Sequence, residues 1–363
     1  MRCRFSALLA VAFALGCQKV APAPARPAPA PEAPKVVGAA PIGTPSFVAA
    51  SSGHSDPECV GPLDFAVPET ISIGGHPAKL DGYRLTLEAP PQGPVALGVL
   101  ANLNDPSPEN SKAIDAYLEF FKTKGVQAIV VDGDSGDGAE AIQGVLEPIA
   151  KSGLPVLVLI GNREPKGGFI DALDALRKDH PNVFNLSRVR EVDLGPVSLL
   201  SLPGYHDPRY LLAGQDGCLY HAEDLKALRK VASQLKSSVV LVSHGPPHGE
   251  GPRALDRVQN PPGNVGDPKL AELITDAHIP FGIFANIIEA GGQATSLSGD
   301  RTIPQGSWES ELYLDPGAAD TVPWSMNDGS HARGMAAVMS FKNGKASYEI
   351  LRLASAEKAE AKR

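Results

Sequence analysis

The sequence predicts an α/β fold whose functional loops lie just past the ends of buried strands. Three observations carry this expectation. Four apolar, strand-like runs each end in a short polar loop: VVDGDSGD (Val130–Asp137), VLVLIGNRE (Val156–Glu164), LVSHGPPHG (Leu241–Gly249) and IFANIIEAGG (Ile283–Gly292). Most of them are separated by stretches with helical spacing, the pattern of a sheet covered by crossover helices. At 363 residues the chain is also long enough for a large core, and its net charge of −8, with no basic run interleaved with aromatics, argues against a nucleic-acid surface.

The N-terminus reads as an address. MRCR is a short basic segment, FSALLAVAFAL is apolar but too short for a permanent membrane span, and Gly16-Cys17 follows at once. This resembles a bacterial lipoprotein signal, with Ala14 where that family usually has Leu. The resemblance implies cleavage after residue 16 and acylation of Cys17, with ordinary secretion as the alternative. Gln18 after the cysteine resembles outer-membrane sorting. The expected location is therefore the bacterial envelope, lipid-anchored in the outer membrane and facing the periplasm. Residues 17–58 form the lipidated cysteine and its tether: APAPARPAPAPEAPK favours extended polyproline II, and its core of about 14 residues reaches roughly 40 Å at ~3.1 Å per residue. The folded domain is expected over 59–353, with a charged, helix-prone tail at 354–363. Once Cys3 is removed and Cys17 acylated, Cys59 and Cys218 remain as an even pair in an oxidising compartment. A disulfide between them is expected, and two separate buried thiols are the alternative.

Within the domain, ETISIGGHPAKLDGYRLTLEA reads as a β-meander broken at Gly-Gly and Asp-Gly. PVALGVLANL is a strand, and Ser107-Pro108-Glu109 opens a helix whose Ile114, Tyr117, Leu118 and Phe121 share a face before Gly125 ends it. Strands follow at VQAIVV and LPVLVLIG, with helices at Ala139–Lys151 and Phe169–Asp179. Three short strands (Val183–Leu186, Val189–Leu194, Val197–Leu202) precede an amphipathic helix at Glu223–Leu235 and the strand SVVLVS. A helix at Pro268–Ala277 and the strand PFGIFA complete the alternation. ATSLS, ELYLD, GMAAVMSF and KASYEIL make a β-rich finish.

Asp132, Asp134, Asp137, Asn162, Glu164, His244 and His248 all fall just past strand ends, where converging oxygen and imidazole donors suit a divalent metal. Taken one at a time, each is equally an ordinary turn or loop residue. Their order and spacing carry more. Gly133-Asp134-Ser135-Gly136-Asp137, Gly161-Asn162-Arg163-Glu164 and Ser243-His244-Gly245-Pro246-Pro247 resemble three of the five strand-end motifs of the calcineurin-like metallophosphoesterases, in the family's order, over roughly Val95 to Lys345. That resemblance implies a two-sheet sandwich flanked by helices, a four-layer αββα fold, and a bimetal site that hydrolyses phosphate esters.

The first and last motifs depart from the family. VLANLND places Asn102 and Asn104 at the positions of its Asp and His, and IFANIIEAGG places Asn286 and Ile288 at those of its two histidines. The resemblance leaves Asp134, Asn162, His244 and Asn286 as the metal-ligating set, with Arg163 in place of the catalytic His as a group able to grip phosphate. Asn102, Asn104 and Ile288 are degenerate ligand positions. The expected cofactor is one weakly bound divalent metal (Mn, Zn or Fe), or none. His206, Asp207, His248 and His331 are possible substitute donors, each equally a loop residue. The loop Asn327–His331, with Trp324 beside it and Trp308 upstream, either caps the site or is a surface loop. The functional expectation is an envelope lipoprotein that binds a small phosphorylated ligand or an envelope protein and is catalytically weak or inactive. An active phosphoesterase with a reduced or substituted ligand set is the alternative.

Overall fold

A computed structural model describes residues 56–73, 76–88 and 93–354. Cys17, the tether before residue 56 and the tail after residue 354 lie outside them. Strands β1 (Glu69–Ile73), β2 (His76–Asp81) and β3 (Arg84–Leu87) form the expected meander. Then come β4 (Val95–Leu100), α1 (Pro108–Thr123), β5 (Ala128–Asp132), α2 (Ala139–Ala150), β6 (Val156–Leu159), α3 (Lys166–Asp179) and β7 (Val183–Asn185). The chain continues through β8 (Glu191–Asp193), β9 (Val197–Leu202), α4 (Ala222–Ala232), β10 (Ser238–Ser243), β11 (Arg257–Gln259), β12 (Pro262–Asn264), α5 (Pro268–Asp276) and β13 (Phe281–Phe284). It ends with β14 (Gln293–Thr295), β15 (Thr302–Ile303), β16 (Leu312–Asp315), β17 (Trp324–Ser325), β18 (His331–Ala332), β19 (Met335–Lys342) and β20 (Lys345–Arg352).

Sixteen of these strands form two large sheets among the described residues, and β11–β12 and β17–β18 are separate two-stranded ribbons. One runs β20-β19-β4-β5-β6-β7, and the other β1-β2-β3-β8-β9-β10-β13-β16-β14-β15. The central strands of each are parallel, β4 to β7 in the first and β9, β10, β13 and β16 in the second. Their apolar runs are continuous because both faces are buried. Val95, Leu97 and Val99 enter a core shared with Val240, Val242, Phe281 and Ile283 of the facing sheet. The alternate residues Ala96 and Leu100 belong to a second core with Ile114, Tyr117 and Phe121 of α1. Leu241 does the same beneath α4 and α5, with Leu225, Leu228, Leu270 and Leu273. The result is the expected sandwich of two sheets between helical layers.

Local chemistry sets the helix ends. The Ser107 hydroxyl accepts a hydrogen bond from the Asn110 amide at 3.3 Å. Pro108 occupies the first turn and Glu109 sits at the positive end of α1. Helix α3 begins three residues before the expected Phe169. Gly167 and Gly168 read as helix breakers, but a Cβ on Gly168 would lie 3.2 Å from the Ala139 nitrogen at the start of α2. A side chain there would crowd the close approach of α3 to α2. Helix α4 stops at Ala232, three residues short of the expected end. Cys59 and Cys218 are joined by a disulfide that ties the start of the described chain to the loop after β9. The Gly61 carbonyl accepts from the buried Arg190 guanidinium at 2.7 Å, and Lys166 bridges Asp56, which fixes the same segment.

Candidate functional site

The C-terminal ends of β4, β5, β6, β10 and β13 meet at one edge of the sandwich, and the motif loops leave from there. Four of the singled-out residues, Asn102, Asn104, Asp134 and Asn286, have left-handed backbones with φ of 52°, 63°, 55° and 59°. Asn and Asp are among the few side chains that tolerate this conformation, because their short polar groups hydrogen-bond locally. The amides at three of these positions thus have a conformational reason for being there, whatever their chemistry.

His244 is the hub. It is fully buried, and its Nδ1 lies 2.7 Å from the Asp132 carbonyl oxygen. Its Nε2 lies 3.2 Å from Asp134 Oδ1 and 3.1 Å from Asn162 Oδ1. The Asn162 amide is oriented by donating through Nδ2 to the Tyr210 carbonyl at 2.7 Å, which turns its oxygen towards the imidazole. So Asp134, Asn162 and His244 come together. The motif glycines make this possible. A Cβ on Gly133 would sit 2.3 Å from His244 Nδ1, and one on Gly161 would sit 2.7 Å from Asp134 Oδ1.

All three oxygens facing His244 are acceptors, so both ring nitrogens donate and the ring is an imidazolium. Burial opposes the charge, but Asp134, with Asp132 and Glu164 beyond, outweighs it and raises the His244 pKa to about 10. Glu164 is buried beneath, accepting from the Ser135 amide at 2.6 Å and the Gly161 amide at 2.9 Å. Burial lifts its carboxyl to about 7. Burial does the same for Asp132, whose two carboxylate oxygens have no partner.

The remaining positions point elsewhere. Asn104 Nδ2 donates to Asp320 Oδ2 at 2.7 Å, and Asn286 Nδ2 donates to the Tyr205 hydroxyl at 2.7 Å. Asn102 is buried with its amide nitrogen unpartnered, and Ile288 begins a short 3-10 turn, Ile288–Ala290. Arg163 forms a fork with Asp137, through Nε at 2.5 Å and a terminal nitrogen at 3.1 Å, while its backbone amide donates to Asp134 Oδ1.

Of the possible substitute donors, none joins the three. Asp207 is taken by Arg209 and His248 by Asp256. His331 faces Ser325, and His206 packs between the Tyr205 and Tyr220 rings. The Asn327–His331 loop rests on the turn after Asn286, through the Asn327 amide to the Glu289 carbonyl at 2.7 Å. Among the described residues, no group of three or more His, Cys, Asp or Glu side chains has the arrangement of a metal site.

Two residues at the site were not visible from the sequence. Tyr205 packs its ring against Gly245, where a Cβ would come within 2.7 Å, and offers its hydroxyl to Asn286. Asp320 arrives from the loop after β16, which pairs by backbone with the end of β4, through Ala319 to Ala101 and Asp320 to Asn102. Burial raises its carboxyl to about 6. Nothing in LPGYHD or PGAAD marks either contact in advance, since both depend on loop packing across distant sequence.

No protein-family model and no curated protein matches this sequence. Solved structures do. One crystal structure superposes along 100% of its own chain and 72% of this one, at 14% identity and a TM-score of 0.52. TT1561 of Thermus thermophilus matches over 70% of this chain and 98% of its own, at 13% identity and a TM-score of 0.46. A dimetal phosphatase from Danio rerio matches over 71% and 98%, at 10% identity and a TM-score of 0.41. At such identities the likeness is one of fold alone: two sheets packed between helical layers.

Proposed function

We propose that this chain is an envelope-anchored binding protein built on a phosphoesterase fold, and that its strand-end site hydrolyses no phosphate ester. The observation that carries this reading is the fate of the donor atoms. Only Asp134, Asn162 and His244 face one another, while the amides of Asn104 and Asn286 are committed to Asp320 and Tyr205 and Ile288 has no donor at all. Two-metal chemistry needs two ions about 4 Å apart to activate water and clamp the attacked phosphate. One carboxylate, one amide and one imidazole are too few donors for such a pair, so we assign the site no hydrolytic step. The Arg163–Asp137 fork further supports the reading, because the group best suited to grip a phosphate is already held by a carboxylate. Acylation of Cys17 and the tether beyond it belong to the same proposal: they would hold the domain near the outer membrane, where its partner is a small phosphorylated molecule or an envelope protein.

Asp320 favours a second reading. Its carboxylate accepts from Asn104 and restores a negative charge to the first-motif loop, so a single cation on Asp134, Asn162 and His244 would be a reduced centre with that carboxylate in the neighbouring loop. Hydrolysis of bis(p-nitrophenyl) phosphate with added Mn²⁺ separates the two, using the purified full chain beside Asp134→Ala. The inactive reading expects the same background rate from both. Turnover that disappears in Asp134→Ala establishes the reduced centre instead.

A further inference from the structure

We propose that a cavity of about 380 Å³, bordered by the end of the last motif segment at Glu289–Gly292 but lined by none of Asp134, Asn162 and His244, binds a small organic oxyanion through Arg253 and Arg352. It lies between the β14–β15 hairpin, the turn joining β17 to β18 and the last residues of β20. Its floor is apolar and buried, formed by Ile303, Met326 and Tyr348, and the Tyr348 hydroxyl is already bonded to the Ile303 carbonyl at 2.7 Å. A ligand body would therefore rest on carbon, with its polar head at the rim.

The two arginines define that head. Arg84, Arg163, Arg209, Arg229 and Arg301 each make an ion pair within 4.0 Å. Arg253 and Arg352 make none among the described residues, and the one side-chain hydrogen bond between them is a 3.4 Å contact from Arg352 to the Gly292 carbonyl. Both line the cavity and lie within electrostatic reach of Asp328. The Asp328 carboxyl, held low first by Ser330, whose backbone amide donates to its Oδ1 at 2.8 Å, is lowered further by both guanidinium groups. Two guanidinium groups lining one cavity with buried apolar side chains suit a phosphate or carboxylate, which either fork can engage bidentately. Gly292 leaves room for this. Its φ is 73°, and a Cβ there would lie 2.6 Å from the Arg352 guanidinium. Asp328 and Glu289 also line the cavity, and their carboxylates would disfavour a ligand with a second negatively charged head. Phosphate and carboxylate share this chemistry, and the two probes below distinguish them.

Calorimetric titration of the full chain with phenyl phosphate and, separately, with benzoate tests the assignment. At least one is expected to bind at a single site with a dissociation constant below about 1 mM. Arg253→Gln and Arg352→Gln should each weaken that binding about tenfold or more. Both side chains are exposed, so the variants are expected to melt like the parent. Arg163→Gln and Asp134→Asn, at the strand-end site, should leave the affinity unchanged. The assignment is overturned if neither probe binds, if both cavity variants retain full affinity, or if binding is lost in Arg163→Gln. Phosphatase activity at the other site, present or absent, does not enter this test.

Discussion

His244 concentrates the physics of the site in one side chain. Buried between an Asp132 carbonyl, the Asp134 carboxylate and the Asn162 oxygen, it is expected to keep both ring protons at neutral pH. Nitrogen-15 spectra of the ring should show an imidazolium at pH 7.5, and a neutral tautomer would refute the assignment. The sign of the linked stability follows from the shift. A histidine raised from 6.5 to about 10 in the folded state contributes stability that is complete below pH 6.5 and is lost as pH rises through 10. Asp132 and Glu164, acids lifted to about 7, also favour the folded state less as pH rises from about 4 through 7. Urea midpoints are therefore expected to fall steadily from pH 5 to pH 9.5, and His244→Asn should flatten the upper part of that decline. A flat or rising profile in the parent would contradict it. The convergence of Asp134, Asn162 and His244 was readable in the sequence because each sits one to three residues past a buried strand. Tyr205 and Asp320 were not, because loops rather than strands deliver them.

At the scale of elements, the motif glycines are as constrained as the polar residues beside them. Gly133 combines a φ of 75° with a would-be Cβ contact of 2.3 Å to the His244 ring. Gly133→Ala should cost about 2–4 kcal/mol in chemical denaturation, as overpacking and backbone strain add. A loss below about 0.5 kcal/mol would mean the β5 loop relaxes freely. The Cys59–Cys218 bridge closes a loop of 159 residues and holds the segment that carries Tyr205, whose amide bonds to the Cys218 carbonyl at 2.9 Å. Cys59→Ser with Cys218→Ser is expected to lower stability by about 2–5 kcal/mol, and an unchanged unfolding midpoint would argue that the bridge is redundant. Periodicity located the parallel strands and most helices, since burial on both faces or on one stripe leaves a clear pattern. It missed the ribbon β11–β12, whose PPGN carries no strand signal, and the two-residue strands β17 and β18. Such short pairs are fixed by what packs on them rather than by their own residues.

For the whole molecule, the framework and the site obey different constraints. The sandwich needs only apolar volume on alternating faces, and that is intact on both sheets. The strand-end chemistry needs particular donors at particular positions, and there Asn102, Asn104, Asn286 and Ile288 stand in the first and last loops. A fold can therefore persist while its loops serve a different purpose, and function has to be argued from the site. The sequence carried the layered architecture through its buried runs but gave no sign of the cavity beneath Arg253 and Arg352, which is assembled from five segments of the second half of the chain. The central claim is that the strand-end site holds no catalytic metal pair. Elemental analysis of the purified full chain, before and after equilibration with Mn²⁺ and Zn²⁺ and beside Asp134→Ala, measures this directly. The account predicts the same substoichiometric metal content in parent and variant. Two equivalents of metal per chain in the parent, lost in Asp134→Ala, would contradict it.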